Sequence, residues 1–164
     1  AVRCASYQGE ELGLPEADIA FEDLQDPYGI EFWPEFKGRD GARTPMVWQA
    51  DNALGGFSGA PKAWLPVPAE HLTRAVAAQE GSAGSLLEYY RAALHFRRAH
   101  EVLRSGAQAG LTVTGDVVSL RRIAGDEELF CAFNLGADAA EIDLPAGEWL
   151  ALGQEIGSIA PAGG

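Results

Sequence analysis

The sequence predicts an α+β chain in which an irregular, aromatic-rich stretch leads into one amphipathic helix and then a small antiparallel β-sandwich. Three observations carry this. Residues 1–84 show little periodicity and are punctuated by Pro15, Pro27, Pro34, Pro45, Pro61, Pro66 and Pro68. Residues 85–100 place apolar side chains at helical spacing. Residues 102–164 change to short β-prone runs divided by glycine turns.

The irregular stretch is far longer than an ordinary connection, and such segments are usually functional loops. Trp33, Trp48, Trp64, Phe21, Phe32, Phe36 and Phe57 argue against a disordered arm, because disordered segments are poor in aromatics. The stretch is therefore expected to be ordered against something large. Leu72, Ala75, Val76 and Gln79 recur at helical spacing and predict a short helix over Pro68–Glu80.

In residues 85–100, Ser85 and Glu88 form an S-x-x-E pattern that can satisfy two backbone donors at a helix start. Leu86, Tyr89, Ala93 and Phe96 form a stripe, widened by Leu87, Tyr90 and Leu94. Arg97 and Arg98 fall where the helix dipole favours cations. So broad a stripe predicts packing against a substantial core.

Five strands are expected beyond residue 102: Leu111–Thr114, Val117–Ile123, Leu129–Phe133, Glu141–Leu144 and Trp149–Leu152. Gly115, Gly125 and the Pro145-Ala146-Gly147 stretch mark turns between them. Short strands at close spacing suggest a sandwich. The tail from Gly157 to Gly164 holds small residues and no further strand signal.

Composition narrows the function. The 164 residues are 47% hydrophobic and 22% charged, as in globular chains, and carry a net charge of −12. An acidic surface repels phosphate, so nucleic acid is not an expected partner. No apolar run is long enough to span a bilayer, so no membrane association is expected either. Cys4 and Cys131 lie far apart among apolar neighbours and read as buried free thiols. His71, His95 and His100 are scattered, and no metal site or cofactor is expected.

Two stretches say more. Residues 7–13 read Tyr-Gln-Gly-Glu-Glu-Leu-Gly, and residues 38–48 read Gly-Arg-Asp-Gly-Ala-Arg-Thr-Pro-Met-Val-Trp. Together, and in this order, they resemble the oligo-1,6-glucosidase/α-glucosidase branch of glycoside hydrolase family 13, the α-amylase family. Asp26–Ile30, Phe32-Trp33-Pro34, Gly56-Phe57 and Trp64–Val67 resemble the same branch, as do Tyr89-Tyr90-Arg91 and Phe130–Asn134. Ala42 departs from close relatives, which often carry cysteine there, and Arg3–Ser6 departs from the usual Pro-Gly-rich approach.

The resemblance implies a division at residue 101. Residues 1–101 would supply the last strand, the long active-site loop and the last helix of a (β/α)8 catalytic barrel, whose active site lies at the C-terminal ends of its strands. Residues 102–164 would form the β-sandwich called domain C, without its last strand. The rest of the barrel would be an N-terminal portion missing from this chain. The family implies a retaining hydrolase acting on α-glucoside oligosaccharides, with its nucleophile and acid on earlier strands. A cytoplasmic location is expected.

No catalytic residue is expected here. Glu10 and Glu11 tempt as a carboxylate pair, but neighbours on an extended segment point to opposite faces and cannot flank one bond. Glu10 is expected to support the active-site loop instead. Arg39 is the expected substrate-binding residue, since a guanidinium fork can bind sugar hydroxyls and a carboxylate together. Its alternative role is to pin the loop through Asp40. Asp40 and Arg43 are expected as loop supports, and Asp40 as a partner rather than a base. Ring faces pack against pyranose rings, which makes Phe57 a second substrate-binding candidate, beside Tyr28 and Trp33. Trp64 is expected to anchor the loop by packing. The isolated chain is expected to be inactive and could self-associate to cover its open side. The competing reading is a non-catalytic sugar-binding or structural module.

Overall fold

A computed structural model describes residues 5–151. The expectations for Cys4, for Leu152 and for the tail from Gly157 fall outside them. The described residues form two compact units, one of residues 6–91 and one of residues 92–151 together with Ala5.

The first unit is mostly loop. Two 3-10 turns, Glu10–Leu12 and Phe21–Asp23, precede helix α1 (Pro27–Glu31), and a third, Asp40–Ala42, precedes α2 (Ala69–Thr73) and α3 (Val76–Gln79). Two buried clusters hold it. Leu12, Met46, Val47, Ala75 and Leu87 form one, with Leu14, Val67, Leu72 and Val76 against it. Ile19, Leu24 and Leu65 form the other, with Ala17 and Trp33. Each fully buried Leu or Val contributes about 1.5–3 kcal/mol, so the clusters stabilise an otherwise irregular backbone. A long loop is tolerable here because it carries its own core. The expected loop anchor shifts by one residue: Trp64 is half exposed, while Leu65 beside it is fully buried.

The helix predicted over Pro68–Glu80 is broken in two. Val76 N–H donates to Val47 C=O (3.1 Å), and Ala77 N–H to Trp48 C=O (3.0 Å). These long-range bonds take donors that a continuous helix would have used, and Ala75 at the break is fully buried. The first motif is also not a strand in the described residues. Glu10–Leu12 is a 3-10 turn closed by glycines on both sides, so the opposite-faces argument for Glu10 and Glu11 does not hold. Their carboxylates do local work instead. Glu11 Oε2 accepts from Gly9 N–H (2.9 Å), and Glu10 Oε2 accepts from Ser6 Oγ (3.0 Å).

Helix α4 (Leu86–Ala99) begins in the first unit and ends in the second. Half of its predicted capping box forms. Ser85 Oγ accepts from Glu88 N–H (3.3 Å), but Glu88 Oε1 accepts from Gly81 N–H (2.9 Å) and from Arg91 (2.8 Å), not from Ser85. Gln79 completes the cap: its Oε1 accepts from Leu87 N–H (3.1 Å), and its Nε2 donates to Leu12 C=O (3.0 Å) and Arg74 C=O (2.9 Å). Of the predicted stripe only Leu87 is buried, and Leu94 is exposed.

The second unit contains α5 (Glu101–Ser105) and an antiparallel meander of β1 (Ala107–Thr114), β2 (Val117–Ala124) and β3 (Glu127–Asn134), in that order across the sheet. Val113, Val118 and Phe133 lie in one row across all three strands. Arg122, on the central strand, is buried and reaches Val102 C=O (3.4 Å) and Leu103 C=O (3.5 Å), tying the sheet to α5. Three of the five predicted strands form. Residues 141–144 and 149–151 carry strand-like composition but find no ladder, and Ile142, Leu144 and Leu150 stay exposed. A strand needs partners for its backbone groups as well as alternation in its side chains. The sandwich is therefore reduced, among the described residues, to one three-stranded sheet with helices. Cys131, on β3, is half-buried rather than buried, and burial pushes its thiol pKa up. Among the described residues, no helix is long and apolar enough to cross a membrane.

Candidate functional site

The second motif folds around two buried carboxylates. Asp26 precedes Pro27 and caps α1: its Oδ1 accepts from Tyr28 N–H (3.2 Å), and proline sits at the first helical position, where no donor is lost. Its Oδ2 accepts twice from Arg39, from the backbone N–H (2.9 Å) and from Nε (3.0 Å). Asp40 Oδ2 accepts from the backbone N–H of Gln25 (2.6 Å) and of Asp26 (2.8 Å), while Oδ1 pairs with Arg43. Arg43 also stands 3.7 Å from Asp26 Oδ2. Asp26 is 1% exposed and Asp40 fully buried. Two buried charges persist only when paired and hydrogen-bonded, and every oxygen of both carboxylates has a partner.

The electrostatics follow the geometry. The Arg39 hydrogen bond holds the Asp26 carboxyl below its ordinary range, against the opposing pull of burial, with the backbone donors of Arg39 and Tyr28 adding to it. Burial pushes Asp40 up, but the N–H groups of Gln25 and Asp26 and the Arg43 guanidinium outweigh it, so Asp40 also sits low. Arg39 is raised in turn, chiefly by its bond to Asp26. Both acids are fixed as anions, which suits an anchor and not a proton donor.

The two arginines divide the labour. The Arg39 side chain is 67% exposed, and its side-chain bond to Asp26 runs through Nε, which leaves its terminal amino groups outside that bond. Arg43 is more buried, paired with Asp40, and lies 5.6 Å over the Trp64 ring. Arg39 is thus fixed by Asp26 and not by Asp40. Gly38 makes the approach possible. It has φ +75°, and a Cβ there would lie 2.9 Å from Asp26 Cβ.

Tyr28 joins this cluster through its backbone, whereas Phe57, Glu10 and Trp33 bond elsewhere. Phe57 is half exposed on the 50–57 loop, its N–H donating to Leu54 C=O (3.0 Å). Glu10 is on the first 3-10 turn, bonded to Ser6. Trp33 packs with Phe21 (ring centroids 5.6 Å apart) and under Lys37. Buried His71 ties the loop from behind, Nε2 to Pro15 C=O (2.8 Å) and Nδ1 to Thr44 Oγ1 (3.3 Å). A cleft of about 310 Å³ beside the motif is lined by Glu16, Ala17, Asp18, Ile19, Lys37 and Gly41. Sequence reasoning missed Asp26 as a site residue. Its signal was available: an Asp before Pro is an N-cap, and two motif arginines face only one motif acid, Asp40.

Comparison with known proteins places this arrangement in a family. The family model for the alpha-amylase catalytic domain matches residues 3–106. A probable alpha-glucosidase of Rhizobium meliloti (strain 1021) is 51% identical over 139 residues, which cover 85% of this chain and 25% of that protein. An oligo-1,6-glucosidase of Parageobacillus thermoglucosidasius is 28% identical over 159 residues, covering 85% of this chain and 28% of that one. Among solved structures, the alpha-glucosyl transfer enzyme XgtA superposes with a TM-score of 0.78 at 52% identity, over 87% of this chain and 26% of its own. The chain spans about a quarter of the length of these relatives. With its two motifs and most of its length matched, the chain belongs to the alpha-amylase family, glycoside hydrolase family 13.

Proposed function

We propose that this chain is the C-terminal portion of a retaining, exo-acting α-glucosidase that hydrolyses terminal α-glucosidic bonds of short oligosaccharides or sucrose. The reacting carboxylates would come from the portion of the protein outside it. Residues 1–101 would close the (β/α)8 barrel and carry the long loop over its active-site mouth, and residues 102–164 would belong to domain C. The observation that carries this reading is the Arg39–Asp26 pair: an exposed guanidinium held by a fully buried, fully satisfied carboxylate.

The chemistry needs such a part. In a retaining glycosidase, one carboxylate attacks the anomeric carbon while a second acid protonates the departing oxygen, and water then releases the sugar. Both steps depend on how the sugar is held. Arg39 supplies donors whose position is set before substrate arrives, so little ordering is left for binding. Asp40 and Arg43 hold the loop from below. Phe57 would offer a ring face from the neighbouring loop. The names of the relatives, two glucosidases and a glucosyl transfer enzyme, favour glucosyl chemistry and leave hydrolysis and transfer both within reach.

The test is glucose release from maltose, isomaltose and sucrose by the intact protein and by the 164-residue chain alone. The intact protein is expected to cleave at least one, and the isolated chain none. Glucose release by the isolated chain, unchanged by Glu10→Ala or Glu11→Ala, would refute the division of labour. Saturable maltose binding by the isolated chain tighter than about 1 mM, roughly −4 kcal/mol, would favour a binding module instead.

A further inference from the structure

We infer that Tyr28 is a specificity-determining residue: its ring forms the apolar wall of the sugar subsite whose polar side is Arg39. The inference rests on the reading of Arg39 given above.

One carboxylate sets both side chains. Asp26 Oδ1 holds the Tyr28 backbone (3.2 Å), and Oδ2 holds the Arg39 backbone and Nε (2.9 and 3.0 Å). Two segments thirteen or fewer residues apart are thereby locked together at a fully buried point, while the side chains they carry stay open: Tyr28 is 63% exposed. The Tyr28 ring is also backed. Phe32, one turn on, lies nearly parallel to it, at 12° with centroids 6.3 Å apart. A ring braced on one side presents its other face as a flat platform.

Such a pairing fits a pyranose. A sugar ring has hydroxyls at its edge, which a guanidinium can donate to, and an apolar C–H face, which an aromatic ring can cover. A lone aromatic on a protein surface has only the second partner. The ligand class that uses both is a pyranoside, which the function proposed above makes a short α-glucoside.

The test uses the intact protein, with maltose as substrate, comparing Tyr28→Phe, Tyr28→Leu and Tyr28→Ala with Arg39→Ala. A platform that binds ground and transition states alike affects KM and leaves kcat nearly unchanged. Tyr28→Phe is expected within about twofold of wild type, because the ring face remains. Tyr28→Leu and Tyr28→Ala are expected to raise KM by about fivefold or more, the equivalent of an aromatic contact. Saturation transfer from aromatic protons to maltose C–H protons should survive in Tyr28→Phe and fall in Tyr28→Leu. Should Tyr28→Leu keep the wild-type KM while Arg39→Ala loses activity, the wall is refuted and the Arg39 reading stands. Indifference to both substitutions overturns the two together.

Discussion

Substituting Gly38 by alanine tests how tightly the loop is built around Asp26. Gly38 has φ +75°, and its added Cβ would meet Asp26 Cβ at 2.9 Å, Asp26 Cγ at 3.0 Å and Gly29 Cα at 3.0 Å. The left-handed backbone costs a Cβ-bearing residue about 1–2 kcal/mol. Overpacking against backbone and a pinned carboxylate adds about 1–3 kcal/mol. Gly84→Ala is the control. Gly84 has φ +82° but no atom within 4 Å of the added Cβ, so only the backbone strain applies. The difference between the variants isolates the contact, about 1–3 kcal/mol, or roughly 5- to 150-fold in a local opening equilibrium. Native-state hydrogen exchange of the intact protein reads this at the Gln25, Asp26 and Arg39 amides, which donate to the two carboxylates. Gly38→Ala should speed exchange there well beyond Gly84→Ala. Equal effects would refute the argument that close packing at Gly38 sets the Asp26 position.

Two other outcomes follow from the same geometry. Asp26 and Asp40 are both held below their ordinary values, so the stabilisation they contribute is complete above the unfolded carboxyl pKa of about 3.9 and is lost as pH falls through their folded values. Tryptophan fluorescence of the loop should therefore hold steady from pH 7 to about pH 4 and change only below that, and Asp26→Asn should remove the part of that acid step that Asp26 contributes; a transition centred near pH 6 would contradict it. Gln79→Leu removes the side chain that bonds Leu12, Arg74 and Leu87, leaving their backbone groups without it. It should destabilise the intact protein by about 1–3 kcal/mol in denaturant unfolding, where a surface substitution would cost under about 0.5 kcal/mol.

The parts of the fold written in local pattern were legible in the sequence. Helix α4 follows from its spacing and cap, and β2 from a run of β-prone residues after a tight turn. β1 starts earlier than its composition suggests, at Ala107, because pairing with Ile123 supplies a ladder that Ala107-Gln108-Ala109-Gly110 would not earn alone. The opposite happened at residues 141–144, where alternation exists and no partner strand stands among the described residues. The break at Ala75 was invisible for a related reason: Val47 and Trp48, nearly thirty residues away, take the helix's donors. At the site, the motif pointed to Arg39, Asp40 and Arg43, and all three gather there. Asp26 did not stand out: its place before Pro27 marks a helix cap, but its pairing with Arg39 depends on two backbone segments meeting, which the local pattern does not show. Trp64 stood out for its size, yet Leu65 is the buried anchor.

Replacing Arg39 in the intact protein tests the central claim most directly. Arg39→Ala should lower kcat/KM for the preferred α-glucoside by about 10- to 150-fold, the worth of one hydrogen bond from a charged group. Arg39→Lys should recover only part of it, because an ammonium lacks the fork that meets Asp26 and a sugar together. Activity in Arg39→Ala equal to wild type, with the fold intact, would show that the buried carboxylates hold a loop and not a substrate-binding side chain.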